Sequence, residues 1–118
     1  MTTFHAVVWL DHQEAHVLMF DKAHIEAQRI KARSHHKHQG KADDNAVFFK
    51  QIAQALHGSH EILLCGPGQA RNQLRDWIGA HDKTLGSCLV DSVAADHPSD
   101  GQLVAMARKY FLKYDAMN

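Results

Sequence analysis

Residues 61–68 read Glu-Ile-Leu-Leu-Cys-Gly-Pro-Gly, and this stretch decides the fold. Its short apolar run, which ends at Cys65, is typical of a central strand that is covered on both faces. The glycine-proline turn leads into a helix, which is predicted by the helical spacing of Ala70, Leu74, Trp77 and Ile78. Helical crossovers join parallel strands, so a strand, a turn and a helix in this order predict an α/β domain.

Upstream of this unit the sequence predicts three short strands. Residues 4–10 and 15–20 are apolar runs, and residues 24–30 alternate, with Ile25 and Ala27 predicted to face inward. The polar connections between them are short, and short connections join only antiparallel neighbours. The first three strands should therefore form an antiparallel meander.

The remaining elements complete the fold. A first helix follows a loop at residues 31–44, a last strand spans residues 85–90, and Ser99 with Gln102 forms a capping box that starts the final helix. The resulting order is β-β-β-α-β-α-β-α. It predicts a three-layer, ribonuclease-H-like α/β domain with a five-stranded mixed sheet, and we expect residues 1–118 to form this single domain.

Composition excludes several classes of protein. The 118 residues carry 13 basic and 13 acidic side chains, so the chain is not a globally basic nucleic-acid binder. It has 11 histidines, whose charge varies near neutral pH. The N-terminus does not read as a secretory signal, and no apolar run is long enough to cross a membrane. With only two cysteines and no disulfide framework, we expect a cytoplasmic protein without membrane contact.

The most unusual stretch is residues 29–41, which carry five fixed positive charges and three histidines but no carboxylate. Phosphate backbones select concentrated positive charge through counterion release, so this stretch predicts an RNA-binding loop on a neutral body. It contains no aromatic residue, so base stacking is not expected. A solvated basic loop without a partner is the alternative. The predicted RNA-binding residues are Arg29, Lys31, Arg33, His35, His36, Lys37, His38 and Lys41.

The loop histidines raise a second hypothesis, a metal-binding or stress-responsive protein. His35, His36 and His38 lie close in sequence, and imidazole binds zinc, nickel and copper. A structural zinc site usually has four ligands on ordered backbone, whereas Cys65 and Cys88 lie in apolar runs apart from this loop. We therefore expect no dedicated metal site and no cofactor.

Catalysis would require clustered carboxylates or an activated nucleophile. Two-metal nucleases hold paired magnesium ions with several carboxylates, but the strand ends offer only Asp11 and Asp91. Asp11 is predicted instead to shape the turn into the second strand. Cys65 is predicted to be a buried core residue. We expect no catalysis, with a residual hydrolase using Asp11 or Cys65 as the alternative.

Residues 61–74 resemble a segment of the release-factor and pelota family. In the middle domain of that family, an apolar strand also runs into Gly-Pro-Gly and a helix with a basic residue near its start, here Arg71. Residues 97–102 and 107–111 are similar to the C-termini of small bacterial proteins described as translational machinery proteins, and this match is closer. The resemblance implies a ribonuclease-H-like fold and a role in translation.

In release factors the loop before the first helix carries a Gly-Gly-Gln tripeptide that promotes peptidyl-tRNA hydrolysis. The matching loop here reads His38-Gln39-Gly40-Lys41, so the resemblance does not imply that activity. Pelota-like members also lack the tripeptide and act as ribosome-binding rescue factors. We therefore expect a non-catalytic, translation-associated domain that binds ribosomal RNA or tRNA. A homodimer could form through an edge strand at residues 23–30, although its polar residues equally favour a blunted edge.

Overall fold

The structure of the chain, a computed structural model, describes residues 4–32 and 41–117, and the side chains within them except those of residues 41–45, 116 and 117. The strands are β1 (Phe4–Leu10), β2 (Glu14–Phe20), β3 (Ile25–Lys31), β4 (Ser59–Gly66) and β5 (Leu89–Ala94). The helices are α1 (Lys41–Leu56), α2 (Ala70–His81), α3 (Lys83–Gly86) and α4 (Asp100–Met117). Within these ranges, no helix has the length and apolar character that a membrane span requires.

The strands form one mixed sheet in the order β3-β2-β1-β4-β5. β2 pairs antiparallel with both β1 and β3, whereas β4 pairs parallel with β1 on one side and with β5 on the other. Asp11 closes the first hairpin, because its Oδ1 accepts hydrogen bonds from the backbone N–H groups of Gln13 and Glu14 at 2.8 and 2.9 Å. The predicted sheet and the predicted turn role of Asp11 are both confirmed.

Helices cover the sheet on both sides. The face that packs against α1 and α2, here the α1/α2 face, buries alternate strand residues such as Val8 and Leu64. The opposite face packs against α4, here the α4 face, and buries residues such as Val7 and Leu63. The predicted capping box starts α4, since the Gln102 N–H donates to Ser99 Oγ at 3.2 Å and the Ser99 N–H donates to Gln102 Oε1 at 2.9 Å.

Gly66 ends β4 beside the end of β1. A Cβ atom at this position would collide with the backbone oxygen of Leu10, so no residue with a side chain fits without movement of the backbone. The glycine therefore allows the ends of two parallel strands to approach closely at the edge of the sheet where the candidate site lies.

The starts of two elements differ most from the predictions. The last strand begins at Leu89 rather than Leu85, because the Asp82 side chain accepts a hydrogen bond from the Leu85 N–H at 3.1 Å and starts the short helix α3. α1 begins at Lys41, so Lys41 belongs to a helix and not to the loop before it.

The predicted inward face of β3 was wrong. Ile25 is 52% exposed and Ala27 is also exposed, whereas Ile30, on the opposite face, is 8% exposed. The physical reason is coverage, since β3 is the outermost strand and α4 packs over β1 and β2. Alternation indicates that one face differs from the other, but it does not show which face is covered.

Candidate functional site

The α4 face carries a group of polar side chains at the carboxyl end of β1. Glu14 and His16 lie at the start of β2, and His16 pairs with Trp9 across the β1–β2 ladder. The connection from β5 to α4 brings His97 and Asp100 to the same place. In α/β sheets, ligands bind beyond the carboxyl ends of the strands, so the position is typical of a binding site.

His16 is the centre of this group, and its side chain is 8% exposed. Its Nδ1 lies 3.1 Å from Asp100 Oδ1, and its Nε2 lies 3.7 Å from Glu14 Oε1. His97 Nε2 lies 3.9 Å from Glu14 Oε2. Glu14, His16 and His97, with Asp100 behind them, are referred to below as the His16 cluster.

Trp9 forms the wall of the His16 cluster. Its ring centroid lies 4.2 Å from that of His97 and 5.6 Å from that of His16. The indole N–H donates a hydrogen bond to the backbone oxygen of Asp96, which holds the chain just before His97. The position of His97 is therefore set by a buried aromatic residue and not only by the loop itself.

Arg29 and Lys31, here the basic edge, lie next to the His16 cluster. In the β2–β3 ladder Arg29 pairs with His16 and Lys31 pairs with Glu14, so both cations belong to the α4 face. Both residues are exposed. A cleft of about 230 Å³ is lined by His16, Arg29 and Asp100, among others. Among the side chains that the structure describes, no carboxylate oxygen lies within 4.0 Å of either cation.

The other predicted RNA-binding residues cannot be placed in the same way. Lys41 is the first residue of α1, and its side chain lies outside the described part. The chain leaves β3 through Ala32, whose N–H donates to the Gln13 oxygen at 2.8 Å, at the end of the sheet where β2 begins. The remaining predicted residues lie outside the described ranges: Arg33, His35, His36, Lys37 and His38.

The side chains considered for catalysis, those of Asp11, Asp91 and Cys65, lie in different parts of the structure, and each has a structural role there. Asp11 closes a turn, whereas Asp91 lies within β5 and accepts a hydrogen bond from the Tyr110 hydroxyl at 2.7 Å. Burial, together with this bond and the Asp91 charge, raises the pKa of Tyr110 to about 12. Burial also raises the pKa of the Cys65 thiol to about 12, opposed by the Arg71 charge, and the residue is 0% exposed. The prediction of a buried core cysteine is confirmed.

Arg71 is the basic residue on which the family resemblance partly rests. Its side chain forms hydrogen bonds that join neighbouring elements. Its Nη1 donates to Ser92 Oγ at 2.8 Å, and its Nε donates to the Gly66 oxygen at 3.3 Å. These bonds connect the start of α2 to β5 and to the end of β4. The Arg71 side chain therefore has a structural role at the ends of β4 and β5.

The opposite end of the α4 face carries a second polar group. His5 Nε2 lies 2.9 Å from Glu61 Oε1, and Asp115 of α4 lies nearby. The pKa of the Glu61 carboxyl is raised, first by burial and then by Asp115. Beside this group is a mostly apolar groove of about 630 Å³, whose walls include Phe111 and Leu112.

Sequence reasoning missed the His16 cluster. The available signal was the Glu14-Ala15-His16 spacing at the start of a predicted strand, which places two potential ligands on one face. The contribution of His97 depends on where the connection between β5 and α4 returns to the sheet, and this could not be read from the order of the elements.

No protein-family model matches the sequence, and no curated protein matches it. Among solved structures, the chain is similar to the Pelota protein of Thermoplasma acidophilum, with 24% identity and a TM-score of 0.62 over 84% of this chain and 30% of that one. It is similar to the archaeal translation termination factor aRF1, with 14% identity and a TM-score of 0.60 over 85% of this chain and 32% of that one. It is also similar to Dom34 of S. cerevisiae, with 20% identity and a TM-score of 0.57 over 86% of this chain and 31% of that one.

The chain thus spans between 30% and 32% of the length of these three proteins. The likeness shows that the chain has the fold of one part of them, consistent with their middle domain. The α/β fold and the structural resemblance predicted from the sequence are confirmed.

Proposed function

We propose that the chain is a translation-associated domain that binds ribosomal RNA or tRNA through the basic edge and the basic segment that follows it. One observation carries the proposal. Arg29 and Lys31 are exposed on a strand that α4 leaves uncovered, and no carboxylate among the described side chains lies within 4.0 Å of them. Their charges are therefore available to a polyanion.

The geometry of a strand suits phosphate contacts. Residues two apart point to the same face and are separated by about 6.7 Å along the strand, so two cations can meet neighbouring phosphates. Each phosphate that is neutralised releases counterions, which provides the binding free energy. In the proposal, Arg33, Lys37 and Lys41 extend the contact, and His35, His36 and His38 add charge as the pH falls.

The fold likeness supports the translation part of the proposal. Dom34 is a translation termination-like factor involved in RNA quality control pathways, and aRF1 is a translation termination factor. The proposed role is binding without catalysis, since Cys65 is buried and Asp11 and Asp91 are engaged in structural hydrogen bonds. Self-association through the exposed β3 edge stays a prediction, which sedimentation of the purified chain would test.

The test is the salt dependence of binding to tRNA and to ribosomes. Replacement of both basic-edge residues, Arg29→Ala with Lys31→Ala, removes two phosphate contacts. The slope of log K against log salt should then become shallower by about 1.4–1.8, from about 0.7–0.9 per contact. Filter binding at several salt concentrations measures this slope for the parent chain and the variant.

The matched control is Arg75→Ala with Lys109→Ala, which removes one exposed arginine and one exposed lysine from α2 and α4. This pair changes the net charge equally and should leave the slope within error of the parent. Equal losses from both pairs would assign the binding to net charge alone. An unchanged slope in the basic-edge variant would show that Arg29 and Lys31 do not contact phosphates, and the proposed site would be wrong.

A further inference from the structure

The His16 cluster brings together three ligand atoms of the kinds that bind transition metals. One carboxylate oxygen of Glu14 and one ring nitrogen each from His16 and His97 all lie within 4.8 Å of one another. The three side chains come from the start of β2 and from the connection before α4, so two separate parts of the chain converge on one point. Such convergence differs from a run of histidines in one loop.

The orientation of His16 indicates an electron-pair acceptor at this point. Among the described residues, the buried His16 Nε2 has no hydrogen-bond partner, and it faces Glu14 Oε1 at 3.7 Å. On its other side, Nδ1 lies 3.1 Å from Asp100 Oδ1. When Nδ1 donates its hydrogen to this carboxylate, Nε2 presents a lone pair. A carboxylate behind a histidine in this way is the usual outer shell of a metal-bound imidazole.

The distances suit a small ion after a minor adjustment. Zinc bonds to nitrogen and oxygen of about 2.0–2.1 Å place two ligand atoms about 3.4 Å apart in a tetrahedron. The observed separations are 3.7 Å between His16 Nε2 and Glu14 Oε1 and 3.9 Å between His97 Nε2 and Glu14 Oε2, the other oxygen of the same carboxylate. One ligand atom from each of the three residues lies within 4.8 Å of the others. Both contacts with Glu14 are therefore longer than the tetrahedral value by about half an ångström or less. The His97 side chain is 57% exposed and the Glu14 side chain 27% exposed, so both can move.

We propose that Glu14, His16 and His97 bind one divalent transition-metal ion, for which zinc is the reference ion. Asp100 is the positioning residue that holds the His16 ring. Two imidazoles and one carboxylate suit zinc, cobalt, nickel and copper rather than magnesium or calcium. Three protein ligands leave a fourth position of the ion for water or another small ligand. None of the proposed ligands belongs to the predicted RNA-binding residues, although the basic edge lies next to the His16 cluster.

The experiment is a titration of the full chain without an affinity tag, in which His35, His36 and His38 are replaced by alanine to remove competing imidazoles. Calorimetry with zinc should give one ion per chain with a dissociation constant below micromolar. Cobalt should give the intense visible absorption of a tetrahedral site. Asp100→Asn, which changes a partner behind the ligands, should weaken zinc binding by about 10–100-fold. His97→Ala and Glu14→Gln each change a ligand itself and should weaken zinc binding at least as much.

His60→Ala is the matched control, because His60 is an exposed histidine on β4 away from the cluster. It should bind zinc as the parent does, and circular dichroism should show all variants folded. If the chain without loop histidines binds no ion, the proposal is overturned. Binding that is unaffected by both His97→Ala and Glu14→Gln would overturn it equally.

Discussion

The two faces of the sheet are built differently. On the α1/α2 face two helices cover a core cluster of apolar side chains, which runs from Ala6 and Val17 to Ile52 and Leu74. On the α4 face the middle is equally apolar, but titratable side chains lie at both ends, His16 at one and Glu61 at the other. Both faces bury an apolar core, and the α4 face differs in carrying polar side chains at its two ends, where we propose that binding takes place.

Coverage explains the difference. A single helix, α4, packs over β1 and β2 and leaves the outer strand and the ends of the face open to solvent. Charged side chains are tolerated there because they keep partners or water, whereas under α1 and α2 an unpaired polar group would cost free energy. Both candidate sites, the basic edge and the His16 cluster, follow from this unequal coverage.

The largest expected effect is on stability and distinguishes the two faces directly. Leu64→Ala, at a position 0% exposed on the α1/α2 face, should lower the free energy of unfolding by about 2–5 kcal/mol through lost burial and the cavity left behind. His97→Ala on the α4 face should change it by less than about 0.5 kcal/mol, as surface substitutions usually do. Urea denaturation measures both values.

In zinc binding the order of the two effects should be reversed, with the larger effect in His97→Ala. The folded fraction of Leu64→Ala should bind zinc as the parent does, whereas His97→Ala should not. A loss of stability in His97→Ala as large as that in Leu64→Ala would mean that the His16 cluster is a structural element, and the division between the faces would fail.

A smaller effect concerns the pH dependence of stability. The pKa of Glu61 is raised above its ordinary value of 4.5 in the folded chain, first by burial and then by Asp115. Between the two values the folded state binds more protons than the unfolded state, so stability rises as the pH falls through this window. At neutral pH the ionised Glu61 therefore costs stability. Asp115→Asn should raise the melting temperature at neutral pH, by an amount that shrinks as the pH approaches 4.5.

A second background isolates this interaction. In a chain that carries Glu61→Gln, the same Asp115→Asn change should lose the pH-dependent part of its gain, because there is no longer a carboxyl to affect. Thermal melts across this pH range provide the comparison. An equal pH-dependent gain in both backgrounds would show that Asp115 acts on the helix terminus and not on Glu61.

The framework of the fold was readable from the sequence because its signals are local. The apolar run before Gly66, the capping box at Ser99 and the turn at Asp11 each depend on residues close in the chain. The boundary of β5 was not readable, since Asp91 and Ser92 interrupt its apolar pattern. The short helix α3 depends on the Asp82 side chain, and its one turn gives no periodicity.

The candidate site was predicted only in part. Arg29 and Lys31 were selected because the concentration of positive charge is visible in the sequence, and both are exposed, but their role in RNA binding stays a prediction. The His16 cluster was missed because the register of the β1–β2 ladder and the return of the chain before α4 bring His16 and His97 together. Such contacts between distant residues carry no local signal.

The most direct test of the central claim, that binding belongs to the α4 face, is an NMR titration of the isotope-labelled chain with a short single-stranded RNA. Amide shifts should change at Arg29 and Lys31 and at their cross-strand neighbours Glu14 and His16, and the changes should disappear at high salt. Amides of Phe48 and Leu74 under the other face should stay unchanged. Shift changes that cluster on α1 and α2, or none at all at low salt, would contradict the account.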